Sequence, residues 1–182
     1  MNNRFDRTIP TIQEAVTRIR SLFAKRNETE QERAVIAGVD ERLILDLKKD
    51  NLEITSNYIH SIDNQHILHS FRKHGKERKG EIPLTEEDFE KIPDYIQNYD
   101  RVYKSPNKNH HGLDVIIYER SLPDGTIIYL EEVRNRRESL TFVTMRKVKG
   151  DNSAASSGET DSPVRPKSSP SSSPSESKDT SF

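Results

Sequence analysis

The chain has 182 residues, of which 31% are apolar and 32% charged; it has no Cys or Trp, and its formal net charge is −1. The apolar share is well below the ~45–50% of an ordinary globular chain, so the packed part is expected to be a core of about a hundred residues with polar ends. The absence of Cys excludes a disulfide framework, a thiolate metal site and a cysteine nucleophile, and a near-neutral chain binds nucleic acid only through a local basic patch.

No run approaches the ~18 consecutive apolar residues of a membrane span. "MNNRFDRTIPTIQEAV" lacks the apolar stretch of a signal peptide. The expected location is the cytoplasm, or a target cell reached without a cleavable signal. "TIQEAVTRIRSLFAKR" spaces Ile12, Val16, Ile19 and Phe23 by four, three and four residues, which predicts a helix opened by Pro10 and Thr11. "ETEQERAVIAGVDERLILDLKKDN" repeats Val35, Val39, Leu43 and Leu47 at four-residue steps and predicts a second helix. Residues 1–57 therefore read as an N-terminal helical module, suited to packing or to docking a partner. A third helix is expected over Ser61–His74, closed by Gly75 in a left-handed C-cap. The run "GKERKGE" follows as a charged loop.

Next, Thr85 and Asp88 take capping-box positions at the start of a short helix, and Pro93 interrupts it and begins another turn. From there the pattern changes to strands: "RVYKS", "LDVIIYER", "TIIYLEEVR" and "SLTFVTMRKV", with Pro-Asp-Gly turn chemistry between the second and third. Helices followed by a hairpin meander define an α+β class with an antiparallel sheet. From about Gly150 the chain is Ser/Pro-rich and too poor in apolar side chains to offset its ordering entropy, so residues 150–182 are expected to be a disordered tail.

The ordered set "QHILHSFRKHG", "IPLTEEDFEKIPDYI", "GLDVIIYER", "IIYLEEVR" and "LTFVTMRK" resembles the phage-type barnase–EndoU–colicin–RelE-like nuclease domains, toxin-like modules found beside MuF-type phage head proteins. The resemblance covers roughly residues 58–149. It implies a helix-then-sheet fold and a metal-independent ribonuclease with no cofactor. It also implies RNA as the partner, transfer RNA among the candidates, and, for a toxin, a cognate immunity protein.

Such cleavage needs a base for the ribose 2′-OH, an acid for the leaving oxygen and cations for the charged phosphorane. The family-like pattern carries over to His66 and His74 for proton transfer. On a helix, His66, His69 and Lys73 share one stripe, with Ile67, Leu68 and Phe71 toward the core. His74 falls at the C-terminus, where the helix dipole favours the imidazolium. In the last hairpin, a turn pairing Arg134 with Ser139 sets Tyr129 opposite Thr144 and Glu131 opposite Phe142. That register groups Tyr129, Glu131 and Thr144 and makes Glu131 the base or orienting carboxylate; a one-residue slip hands the role to Glu132. Arg134 at the strand end is the candidate phosphate contact and Thr144 a phosphate hydrogen-bond donor. Arg136 and Arg137, with Tyr129, are candidates for binding substrate.

Two readings compete. His66, His69 and His74 supply zinc-ligand chemistry, although His74 is rotated off the HxxH face and no HExxH occurs. A non-catalytic RNA- or protein-binding module on the same fold is the other, because a fold does not fix an activity. No GxSxG, P-loop or Rossmann fingerprint supports other enzyme classes. The acidic pair in "LEEVR" also occurs in ADP-ribosyltransferases, but no nicotinamide-binding signature accompanies it.

Overall fold

The computed structural model describes residues 6–150; the expected Ser/Pro tail falls almost wholly outside them. Thr11 opens α1 (Ile12–Ala24) with the reciprocal Thr11–Glu14 capping box. Strand β1 (Arg33–Gly38) follows, and Asp40 then caps α2 (Glu41–Lys48) by accepting the Leu43 amide at 2.8 Å. Strand β2 (Ile59–Asp63) runs directly into α3 (Asn64–His74), because Asp63 accepts the His66 amide at 2.8 Å and starts the helix. Then come β3 (Glu81–Ile82), α4 (Glu86–Glu90), α5 (Ile92–Gln97), β4 (Arg101–Lys104), β5 (Val115–Leu122), β6 (Gly125–Arg134), a 3₁₀ turn (Asn135–Arg137) and β7 (Ser139–Val148).

The α+β class and the β4–β7 meander are those expected from sequence. Three local expectations change. The proposed second helix is strand β1 followed by the shorter α2; a four-residue spacing is also an even spacing, so Val35 and Val39 fit a strand as well as a helix. The N-terminal segment is thus not all helical, and it adds β1 antiparallel to β2. The first residues of the proposed third helix belong to β2. Gly75 has φ −83°, not a left-handed conformation. Its requirement is space: a Cβ there would lie 2.5 Å from the Phe71 carbonyl oxygen and 3.1 Å from the Phe71 ring.

The strands lie in the order β1-β2-β7-β6-β5-β4, with β3 also against β7. Only β2 and β7 are parallel, pairing Ile59, His60 and Ser61 with Ser139, Leu140 and Thr141. Beyond Asp63, α3 takes over beside β7. The Ser70 hydroxyl accepts the Met145 amide and donates to the Met145 carbonyl, both at 3.1 Å, so a side chain substitutes for a ladder partner.

Ala15, Ile19, Leu22 and Phe23 of α1 are buried, whereas Ile12, the first residue of the expected stripe, is exposed. Phe23 meets Phe71 and Phe89, and Phe89 meets Phe142, which stacks on Tyr129. Within this core lies one polar group of four. Tyr118 and Tyr129 donate to Glu131 at 2.8 and 3.1 Å, and the His60 Nδ1–H donates to the same carboxylate at 2.9 Å. Glu131 is 0% exposed and has every visible partner inside the protein. Burial first, then the Glu131 charge, pushes both tyrosine hydroxyls well above their ordinary pKa.

Removing the carboxylate would strand three buried donors. Glu131→Ala is therefore expected to destabilise the fold by about 3–5 kcal/mol, measured by urea denaturation with the slope unchanged.

Candidate active site

Side chains alternate along β6, so neighbours of Glu131 point through the other face of the sheet. There, Glu132 pairs with Thr141, and Arg134 with Ser139. Ser61 of β2 joins them: its hydroxyl lies 2.9 Å from that of Ser139 and 3.2 Å from that of Thr141. Two residues further along β2 is Asp63, opposite Arg33 of β1. Four strands therefore contribute one continuous polar strip.

Two clusters of charge occupy it. Arg134 Nε donates to Glu132 Oε1 at 2.6 Å and its Nη2 reaches the same oxygen; Asn109 donates to Oε2 at 2.9 Å. At the other end, buried Asp63 accepts from His66 Nδ1–H at 2.7 Å and from Gln31 at 3.0 Å, with Arg33 Nη2 3.9 Å away. Burial works to raise the Asp63 carboxyl, but the His66 hydrogen bonds and charge, with Gln31, outweigh it and hold the group below the usual carboxylate range. Arg33 links the two ends. Burial lowers its guanidinium below the ordinary value, Asp63 and Glu132 oppose this, and Arg134 and Arg137 add to it. Arg33 Nε is a buried donor with no hydrogen-bond partner among the described residues. Among the charged groups of the strip, those that reach solvent are cationic or imidazole: the side chains of Arg33, Arg134 and His66 are 18%, 28% and 29% exposed, whereas Asp63 and Glu132 are buried.

The turn after β6 carries more positive charge. Arg136 and Arg137 are exposed, and Glu138 closes the turn with a left-handed φ of 45°. Arg7 fixes this turn from the N-terminal side, donating to the carbonyls of Asn57, Arg137 and Glu138. Tyr58 donates to Asn135 at 3.0 Å.

The residues singled out in the sequence separate as follows. His66 and Arg134 lie on the strip, with Arg136 and Arg137 at its end. Glu131 and Tyr129 do not: both are sealed in the core behind the sheet, which removes them from any contact with a substrate. The turn register was read correctly at Arg134–Ser139 and Glu131–Phe142, but a bulge between Leu130 and Glu131 sets Tyr129 opposite Met145 and Leu130 opposite Thr144. The carboxylate on the open face is Glu132. Thr144 and His74 come together elsewhere on that face, in a hollow beside α3. His74 is eight residues from His66, roughly 12 Å along a helix, and lines that hollow rather than the strip. Its imidazole is buried and donates from Nδ1–H to Glu81 at 2.8 Å. Burial lowers its pKa despite Glu81, so desolvation outweighs the helix dipole invoked from sequence. His69 is exposed, and no three His, Asp or Glu residues converge in metal-holding geometry among the described residues. Arg33, Asp63, Asn109 and Glu132 complete the strip. Asp63 was visible as a carboxylate before a helix-forming run, three residues from His66. No sequence signal pointed to Arg33, which arrives through a strand read as helix.

A helix layer on one side of a mostly antiparallel sheet, with guanidiniums, carboxylates and an imidazole on the other, defines an α+β domain with a polar open sheet face. The chain belongs to the phage-Barnase-EndoU-ColicinE5/D-RelE like nuclease3 family, whose model matches residues 38–155. It has the mixed fold of that nuclease family. No curated protein and no solved structure matches the chain. No helix among the described residues is long and apolar enough to cross a membrane.

An unfolded imidazole protonates at about its ordinary value of 6.5, whereas folded His74 resists protonation. Its contribution to stability is complete above that value and lost as pH falls through it toward the lower folded pKa. Wild-type protein should therefore lose thermal stability relative to His74→Gln as pH drops below about 6.5, with little change between the two above it.

Proposed function

We propose that the strip is the catalytic centre of a metal-independent endoribonuclease. The observation that carries this reading is the unbroken series His66–Asp63–Arg33 beside Glu132–Arg134 on one sheet face. Arg33 and Arg134 supply planar, permanently charged donors suited to a phosphodiester, with side chains 18% and 28% exposed on that face. The phosphate draws Arg134 away from Glu132, and the freed carboxylate takes the ribose 2′-OH proton. The 2′-oxygen attacks phosphorus as the bond to the 5′-oxygen breaks. His66, with Nδ1–H anchored on Asp63, gives its Nε2 proton to that leaving oxygen. The products are a 2′,3′-cyclic phosphate and a 5′-hydroxyl. Arg136 and Arg137 hold the flanking strand, transfer RNA being one substrate of suitable charge.

The near-complete burial of Glu132 beneath Arg134 and Asn109 favours a second reading, in which the face binds RNA without cutting it. One assay separates the two. With EDTA present, purified full-length protein is expected to cut bulk RNA to cyclic-phosphate ends. Either His66→Ala or Glu132→Gln should lower the rate at least ~100-fold, the usual contribution of a positioned acid or base, with circular dichroism unchanged. RNA retention without cleavage sinks the enzymatic reading and leaves the binding module. A toxin role, with a cognate immunity protein as partner, goes with the nuclease reading: expression of wild-type protein should arrest growth and expression of His66→Ala should not.

A further inference from the structure

Beside the strip, on the same sheet face, lies a hollow of about 230 Å³. Its floor is a straight cross-strand row: Tyr103 of β4 pairs with Ile117 of β5, Ile117 with Leu130 of β6, and Leu130 with Thr144 of β7. Lys73 and His74 of α3 and Arg146 of β7 stand around it. The row is two residues along β6 from Glu132, roughly 7 Å at strand rise. A group seated in the hollow thus belongs to the nucleotide next to one held at Glu132 and Arg134.

We propose that this hollow is a subsite that takes a single unstacked nucleobase of a single-stranded nucleic acid, with the neighbouring phosphate on Lys73 and Arg146; it rests on the reading of the strip as a phosphodiester site. The floor is aliphatic and one wall is aromatic. The Tyr103 ring is held at its hydroxyl, which donates to Glu119 at 3.1 Å, and is covered on one face by the Arg101 guanidinium, 4.7 Å from its centroid, which leaves the other face for a base. Rigid aromatic surfaces of this kind stack any base, each worth about 1–3 kcal/mol. Among the described residues neither Lys73 nor Arg146 makes an ion pair, unlike Arg101 and Arg134 nearby. Two unneutralised cations beside an apolar floor complement a ligand that is aromatic and anionic together. A 230 Å³ hollow is smaller than the ~300–1,000 Å³ of drug-sized pockets, which suits one heterocycle and excludes a base pair. Two polar groups reach the wall. Thr144 carries a hydroxyl, and neutral His74, its Nδ1–H spent on Glu81, presents Nε2 as an acceptor for a base N–H. This assigns His74 to holding the base rather than to proton transfer, and Thr144 to the base rather than to the phosphate.

The test uses full-length protein and an uncleavable single-stranded 2′-O-methyl decanucleotide, read by fluorescence anisotropy, so that binding is measured whether or not the strip cuts. One abasic residue is walked along the oligonucleotide. Wild-type protein should lose about tenfold in affinity at one abasic position, the 1–3 kcal/mol of a stacked base. Tyr103→Ala should bind the intact oligonucleotide as weakly as that abasic one and show no further loss with it; Thr144→Trp, which fills the hollow, should do the same. Lys73→Ala/Arg146→Ala should flatten the dependence of log Kd on log salt by about 0.7, the single-strand value for one neutralised phosphate. No position-specific abasic loss, or variants that bind like wild type, overturns the subsite. Position-specific binding without RNA cleavage retains the subsite and overturns the catalytic reading alone.

Discussion

The buried carboxylate of Asp63 ties the fold to the polar strip on its open face. It starts α3 by accepting the His66 amide and orients the His66 ring through Nδ1. It also lies across the ladder from Arg33. The His66 contacts, with Gln31, hold the Asp63 carboxyl below the usual carboxylate range despite its burial, and its charge offsets part of the desolvation of the Arg33 guanidinium beside it. A helix cap is ordinarily worth about 1 kcal/mol. Here the same group also decides which nitrogen of an imidazole faces solvent, so the secondary structure and the chemistry of the strip cannot be altered separately.

The second organising constraint is the two-residue period of β6. Adjacent glutamates with the same chemistry are sent to opposite environments: Glu131 to a dry core, where two tyrosines and His60 saturate it, and Glu132 to a face lined by arginine, serine and threonine. The core group behaves as structural cement. The other is the acid-base candidate of the proposed reaction, held under Arg134. Both faces of the sheet thus carry buried charge, and they differ in what neutralises it: hydroxyls and an imidazole on one side, arginine on the other.

The fold class and the meander were legible because hairpin strands are local; turn residues and alternation sit next to each other in the chain. The Thr85–Asp88 cap and the Arg134–Ser139 turn pairing were legible for the same reason. Long-range pairing was not. A run such as "AVIAGV" is apolar at every register, so it carries no period to separate a strand from a helix, and Arg33 went unseen with it. The choice between Glu131 and Glu132 turned on which face of β6 the helices cover, and that depends on packing remote from the hairpin. The bulge at Leu130–Glu131 has no residue signature, yet it decided where Thr144 points. His74 was legible as a helix C-terminal imidazole, but its burial depends on Glu81 of β3, a two-residue strand that had read as loop.

The lone parallel pairing, β2 with β7, has a temporal corollary. Ser61 and Thr141 touch at a sequence separation of 80, and such a junction forms only after the entropy of closing that loop has been met. On a ribosome, Arg33, Asp63 and His66 emerge long before Glu132, Arg134 and Thr141. A nascent chain that has not yet reached β6 therefore carries this imidazole and guanidinium apart from their strand partners, and the polar strip comes into being only once β7 has been made.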